Sequence, residues 1–468
     1  MITIDVLPDD ALLAIFDYCV VIFRYSDERN TGSFFDMKRV TESWQLLVHV
    51  CRRWRGLVFG SPRRLNLQLY SIPRTSARNS LDVWPPLPLL IWCNYRETET
   101  DNAIAELDHS DRIRQISLHR LTTSHIEKLC MAMQVPFPEL ECLSLTFESS
   151  CGPVLPDSFL DGSAPCLRSL EFIGIPFPGL PKILLSATHL HTLWLTNIPH
   201  LGYISPEVMV TCLSVLISLQ DLQLGFQSPQ SCPDQDIRYP HPLTRSVLPA
   251  LRHFSFKGVN EYLEDLVSLI DAPRLHDLLI SLFNDIHFDT PELNKFLSRT
   301  STLGDNNVTH ITFYSHEALV WFESGRLPHY RMIKVSILCQ VPDWQLSSLA
   351  QICSLSFHLP LTTEKLYIHE RLDSPSDWNG VIENTEWLDL LLPFTAVKNL
   401  YLSKKIATHI ARALHELTGT TEVLPALQNI FLEGFRPSEP VQEDIARFIS
   451  ARRLTNPAIA VSNVSGKV

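Results

Sequence analysis

Leu190-His-Thr-Leu193-Trp-Leu195-Thr-Asn-Ile198 holds the pattern that decides the fold: an apolar residue, two variable ones, a second apolar residue, one variable, and a third apolar residue. Apolar positions two apart share one face of a strand, so each such stretch offers a short strand with one sticky side. Working outward, the pattern begins again at Ile113, Leu140, Leu167, Leu219, Leu251, Leu275, Val308, Met332, Val397 and Leu427, and in weaker form around Leu366-Tyr-Ile368. The starts lie roughly 23 to 34 residues apart. One supersecondary unit fits in that length. Its few apolar residues cannot close a core alone, but stacked neighbours can.

In five units proline stands two residues before the first leucine: Pro138-Glu-Leu140, Pro165-Cys-Leu167, Pro249-Ala-Leu251, Pro273-Arg-Leu275 and Pro425-Ala-Leu427. Proline stops a preceding helix and enters the strand before its missing donor is needed. Between the strands, residues 262–270, 386–392 and 406–417 carry apolar residues at helical spacing. Strand, turn, helix and turn form the repeating unit of leucine-rich-repeat proteins, which predicts an α/β solenoid over 111–440. The asparagine that ends regular repeats is replaced by Ile198, so the array is expected to be irregular, with 227–249 looping out. Residues 63–110 read as a connecting and capping segment, in which Leu65, Leu67 and Leu69 alternate as in a strand and Leu87-Pro-Leu-Leu-Ile-Trp92 forms another. Within 441–468, Ile445, Phe448 and Ile449 line the inner face of a final capping helix, followed by a polar tail.

Ahead of the array, Leu7-Pro-Asp-Asp-Ala-Leu12-Leu-Ala-Ile15-Phe16-Asp-Tyr-Cys19 reads as a helix. Proline and two acids stand at its start, where they suit the unpaired N–H groups and the dipole. Leu12, Ile15, Phe16 and Cys19 share a face. Trp44, Leu47, Val48, Cys51, Trp54 and Val58 predict a second helix, ended by Gly60-Ser-Pro62. Between the two, 24–38 is a polar insertion rich in turn residues. Two short amphipathic helices need something more to cover their apolar faces.

At this point the sequence resembles the F-box family: Leu7-Pro8, the Ile15-Phe16 pair and Val50-Cys51-Arg-Arg-Trp54 follow its signature across about 7–58, within a helical domain read as 1–62. In that family the helices bind a small Skp-type adaptor, which binds a cullin. The resemblance implies that Leu7, Pro8, Leu12, Ile15, Phe16, Val50, Cys51 and Trp54 form or support an adaptor-binding face. The family usually joins the helices through a short helix, and the insertion at 24–38 departs from that. Arg52-Arg-Trp54 through Ser61-Pro-Arg-Arg-Leu65, Leu81-Asp-Val-Trp-Pro85, and Glu383-Asn-Thr-Glu-Trp387 through Lys398-Asn-Leu-Tyr-Leu402 look like segments of fungal F-box proteins, over nearly the whole chain. What this implies is a substrate-recognition subunit of an SCF-type ubiquitin ligase, with the array holding a protein target. The alternative is a repeat scaffold that never joins a ligase.

Composition fits a folded, non-catalytic protein. With 45% hydrophobic and 19% charged residues, the 468-residue chain can bury ample core. A net charge of −12 opposes nucleic acid as a partner. Arg52, Arg53, Arg55, Arg63 and Arg64 read as a solvated helix face, since no aromatic interleaving accompanies them. The longest apolar stretch, 208–219, is too short to span a bilayer. The 11 cysteines form no C-x-x-C pair, and the first residues lack a signal-peptide pattern, so reduced thiols in cytoplasm or nucleus are expected. No phosphate loop, dinucleotide fingerprint, nucleophile elbow or zinc-protease motif occurs. His191, His253, His276 and His310 lack companions at metal spacing, and no cofactor is expected. The variable strand positions are the candidates for target contact, with Trp194, Tyr314, Tyr401 and Phe431 as aromatic anchors.

Overall fold

The structure, a computed structural model, describes residues 6–25, 43–65, 67–71, 86–94, 97–147, 153–231, 245–283, 290–303, 307–323, 331–356, 360–370, 384–416, 423–433, 440–452 and 459–464. They fall into two units, Met1–Leu193 and Trp194–Val468.

The first unit opens with helices α1 (Asp9–Tyr25), α2 (Ser43–Val48) and α3 (Arg52–Gly60), followed by β1 (Leu69–Ser71), β2 (Leu89–Asn94), α4 (Glu97–Ala105), β3 (Ile113–Leu121), α5 (Thr123–Ala132), β4 (Cys142–Phe147), β5 (Ser169–Ile173) and α6 (Leu180–Ser186). The strands run parallel in chain order from β1 to β5. Leu65, Leu67 and Leu69 are buried as their alternation predicts. The second helix expected from the sequence is two helices. Cys51 has extended backbone (φ −157°, ψ 170°), and its Sγ accepts the Trp54 N–H at 3.4 Å, capping α3. A side chain at the break satisfies a donor that a continuous helix would have bonded internally.

The second unit opens within β6 (Thr192–Ile198) and continues through α7 (Pro206–Leu213), β7 (Asp221–Phe226), β8 (Ser246–Val247), β9 (His253–Gly258), α8 (Asn260–Ser268), β10 (Ile270–Asp271), β11 (Asp277–Phe283) and α9 (Pro291–Arg299). Next come β12 (Val308–Phe313), β13 (Ala318–Glu323), β14 (Met332–Leu338), α10 (Pro342–Gln351), β15 (Lys365–Glu370), α11 (Asn384–Leu391), β16 (Asn399–Leu402), α12 (Lys404–Glu416), β17 (Asn429–Glu433), α13 (Pro440–Arg452) and β18 (Ala460–Val464). The spatial order in its main sheet is β6-β7-β9-β11-β14-β13-β12-β15-β16-β17-β18. This is a leucine-rich-repeat-like array, built by repetition of strand, turn and helix.

The proline of each marked unit has a sharper role than stopping a helix. The N–H groups of Leu140, Leu167, Leu251, Leu275 and Leu427 donate to the carbonyls of Phe137, Ala164, Leu248, Ala272 and Leu424, at 3.1 to 3.3 Å. Proline is therefore the second residue of a hydrogen-bonded four-residue turn, where its fixed φ is already correct. In all five turns the residues at both ends are buried while proline is exposed. Apolar, Pro, variable, Leu is thus a hinge with both ends in the core.

Three expectations are corrected. Val308 and Met332 do not start successive parallel units: β13 runs antiparallel between β12 and β14, and β14, not β12, pairs with β11. Phe313 and Ala318 are joined by a turn closed by Tyr314 N–H donating to the Glu317 carbonyl at 2.8 Å. So short a connection excludes a parallel crossover, which needs a dozen residues or more. Next, α13 does not end the array. It leads to β18, which pairs parallel with β17, so α13 is a crossover helix and Ile445, Phe448 and Ile449 are its buried face. Finally, the loop expected at 227–249 contributes β8, paired with β10, although 232–244 lie outside the described residues. Of the insertion at 24–38, residues 24 and 25 belong to α1 and the remainder lies outside the described residues, as does the 81–85 segment.

Candidate functional site

Two surfaces carry the residues that the sequence singles out. The first lies on α1, α2 and α3. Leu12, Phe16 and Val58 are fully buried, and the Phe16 ring meets Trp54 with centroids 4.7 Å apart. Trp44 is also buried, its Nε1 donating to the Gln68 carbonyl at 3.1 Å. Arg53 closes the start of α1: its Nη2 lies 2.6 Å from Asp9 Oδ1 and 2.6 Å from the Leu7 carbonyl. Pro8 supplies the first acceptor of the helix, its carbonyl taking the N–H groups of Ala11 and Leu12.

The eight residues proposed for this face therefore divide. Leu12, Phe16 and Trp54 are internal and hold the helices together, Cys51 caps α3, and Leu7 is half-buried. Pro8, Ile15 and Val50 face outward. The structure adds outward residues that the sequence reading did not choose: Tyr18 is 67% exposed, Leu46 68% and Val6 71%. Ile15, expected on one face with Leu12 and Phe16, lies at the exposed edge of that face, and Tyr18, three residues on, lies further round α1 on the outward side. The indole N–H of Trp54 is buried and meets no acceptor among the described residues. Among the nearby arginines, Arg53 and Arg64 pair with Asp9 and Asp10, and Arg55 Nε donates to the Val48 carbonyl at 3.0 Å.

The second surface is a row of rings in the second unit. Trp321, His310, Tyr367, Tyr401 and Phe431 come from β13, β12, β15, β16 and β17 and stand in register across five adjacent strands. Successive centroids are 4.5, 4.5, 4.1 and 4.4 Å apart, with interplanar angles of 9° to 10°. Strands lie about 4.8 Å apart, so side chains at one register position stack face to face when they are flat. All five are half-exposed. His310 Nε2 lies 3.2 Å from Glu323 Oε1, while burial pulls the imidazole pKa below its ordinary value and Glu323 partly offsets that. His369, beside His310 and Tyr367, is pushed down to about 4 by burial and then by His310. Burial first, then the neighbouring Tyr401, raises the Tyr367 hydroxyl to about 12. Both imidazoles are neutral at pH 7.

Of the four aromatic candidates, Tyr401 and Phe431 belong to this row. Trp194 stands apart on β6, its Nε1 donating to Asp221 Oδ1 at 3.0 Å. Tyr314 lies past the end of β12, in the turn, with its carbonyl accepting from Gln345 Nε2. Trp321 was missed because β13 was missed. Tyr367 sits in the unit with the weakest pattern, and His310 was weighed only as a metal ligand and set aside for want of companions.

A surface cleft of about 720 Å³ in the first unit is lined by Phe59, Arg63, Leu67, Pro86, Arg112 and Glu139 among others. Arg112 is engaged there by the Leu87 carbonyl at 3.0 Å. Among the described residues, no group of three His, Cys, Asp or Glu side chains could hold a metal ion, and no helix is long and apolar enough to cross a membrane.

No family model matches the chain, and no curated protein matches it. Among solved structures, the leucine-rich-repeat-containing protein LegL7 of Legionella pneumophila is similar at 13% identity, covering 74% of this chain and 93% of that one, with a TM-score of 0.27. The repeat architecture rests on the strand order and turns of this chain itself.

Proposed function

We propose that this chain is the substrate-recognition subunit of an SCF-type, cullin-based ubiquitin ligase, working in the cytoplasm or nucleus. The helices α1 to α3 bind a Skp-type adaptor, and the array holds a protein target close to the ubiquitin-transferring subunit. Its contribution is effective concentration rather than bond chemistry, so it needs neither catalytic residue nor cofactor. The observation that carries this reading is the outward set Ile15, Tyr18 and Leu46 on the helices, with Val50 in the turn between α2 and α3, around an interior already filled by Leu12, Phe16, Trp44 and Trp54. Apolar groups left over after the core is complete are the material of an interface. The Trp54 indole N–H, without an acceptor among the described residues, supports the same reading, since a partner can bring one.

Co-purification with a Skp-type adaptor tests this. Ile15→Ser with Leu46→Ser should weaken adaptor binding by about a hundredfold, because burying two aliphatic side chains is worth roughly 3 kcal/mol or more. The fold should be unchanged by circular dichroism. Absence of adaptor binding by the wild type would overturn the proposal. A second reading, a repeat scaffold with the helices as its cap, is favoured by the Trp44 bond to the Gln68 carbonyl, which ties α2 to the segment entering β1. Under it the serine variant changes nothing.

A further inference from the structure

The ring row has a geometry that narrows what can bind it. Because the five rings stack on one another at 4.1 to 4.5 Å, their faces are occupied by their neighbours. What they offer to solvent is a ridge of ring edges. The edge of an aromatic ring is electropositive and its face electronegative. A sugar or a nucleobase needs a free face, which this row presents only at its two ends. An apolar side chain or a carboxylate can use the edges.

The charges around the row point the same way. Lys334 stands in register with Trp321 on the next strand, β14. Lys365 lies two residues before Tyr367, on the same face of β15. Neither forms an ion pair with a described residue. Of the neighbouring carboxylates, Glu364 is paired with Lys398 at 2.8 Å and Asp277 lies 2.7 Å from His253 Nδ1, while Glu323, 3.2 Å from the neutral His310, is not neutralised by it but sits between the strands that carry Lys334 and Lys365. Glu433, two residues beyond Phe431, has no lysine on the strands either side of it, β16 and β18, which makes that end of the row the less favourable one for an anion.

We propose that the ridge Trp321–His310–Tyr367–Tyr401–Phe431 docks an extended segment of a protein partner whose apolar side chains lie along the ring edges and whose carboxylates meet Lys334 and Lys365. The segment places its acidic residues toward the Trp321 end, away from Glu433. Single-stranded nucleic acid fits less well, because the faces it stacks on are filled and the chain carries a net charge of −12. The inference rests on the proposed function only in taking the occupant to be the recruited protein.

The test uses the full chain and a displayed library of random dodecapeptides. Selected peptides should be enriched in Asp or Glu together with Leu, Ile, Phe or Tyr. Resynthesised and labelled, they should bind about tenfold more weakly to Lys334→Glu and to Lys365→Glu, and more weakly in high salt. Tyr401→Ala should bind worse still, and Trp194→Ala should bind like wild type. Lys365 is exposed and Lys334 half-buried, so both lysine variants should keep the fold by circular dichroism and decide the matter even where Tyr401→Ala unfolds. No enrichment, enrichment of basic or uncharged peptides, unchanged affinity in both lysine variants, or tighter binding of an oligo-dT 12-mer than of the selected peptides would each overturn the inference. Adaptor co-purification is a separate readout: peptide binding without adaptor binding sinks the ligase role alone, and the reverse sinks the ridge alone.

Discussion

His369 is held neutral by its surroundings, and this has a cost that can be measured. An unfolded histidine titrates near 6.5, whereas burial and His310 put folded His369 at about 4. Between those values the unfolded chain takes up a proton that the folded chain refuses. Stability from this residue is therefore complete above pH 6.5 and lost as the pH falls toward 4. His310 shifts in the same direction, and Glu323 moderates it. Because the ring is partly exposed, solvent screening reduces the effect to about 1 kcal/mol between pH 7.5 and pH 5. Urea titrations at the two pH values should show that loss for wild type and a flatter dependence for His369→Gln; an identical pH dependence in the variant would refute it. Much at this scale was legible. The proline two residues before Leu140, Leu167, Leu251, Leu275 and Leu427 marked each strand entry correctly, because a turn is set by four consecutive residues. The stacking of His310 on Tyr367 was not, since it depends on register between residues 57 apart in sequence.

Helices of the array lean on one another as well as on the sheet. Glu264, on α8, accepts the N–H groups of Glu292 at 2.8 Å and Leu293 at 3.0 Å, at the first turn of α9. The residue at the cap position of α9, Thr290, provides no side-chain cap of its own. A carboxylate from the previous helix thus does the work of an N-cap and also meets the positive end of the α9 dipole. At the other end, Arg299 Nε bonds Asp271 Oδ1 at 2.7 Å, tying α9 to β10. Glu264→Ala is expected to cost about 1 to 2 kcal/mol in chemical denaturation, and Glu264→Gln less, because the amide oxygen still accepts. Equal stability of the alanine variant and wild type would show that water replaces the cap. Helices at 262–270, 386–392 and 406–417 were visible from their periodicity and appear as α8, α11 and α12. The break at Cys51 was not, because the apolar spacing runs straight through it. α2 ends at Val48 in a turn over 49–50, and the extended backbone of Cys51 restarts the chain as α3.

Across the array, stacking of successive units is interrupted where β12, β13 and β14 form an antiparallel set between β11 and β15. The repeat pattern found both parallel members, Val308 and Met332, but it cannot encode their spatial order. Spacing along the chain says how many units there are, whereas the order depends on which pairing the short turn at 314–317 allows. In a linear array each element is supported mainly by its neighbours, so damage should spread from strand to strand and fade with distance. Val320 is the place to test this: it is fully buried in β13, opposite Ile311 on one side and Val335 on the other. Val320→Asp puts a carboxylate into that core, at a cost of several kcal/mol. Amide hydrogen exchange should then speed up by about a hundredfold or more in β12, β13 and β14, with a smaller change in β11 and β15. Strand β7, separated from β14 by β11 and β9, should keep its protection. If β7 loses protection as fully as β12, the unit unfolds as one cooperative body; if β12 and β14 are unaffected, β13 is not what joins them.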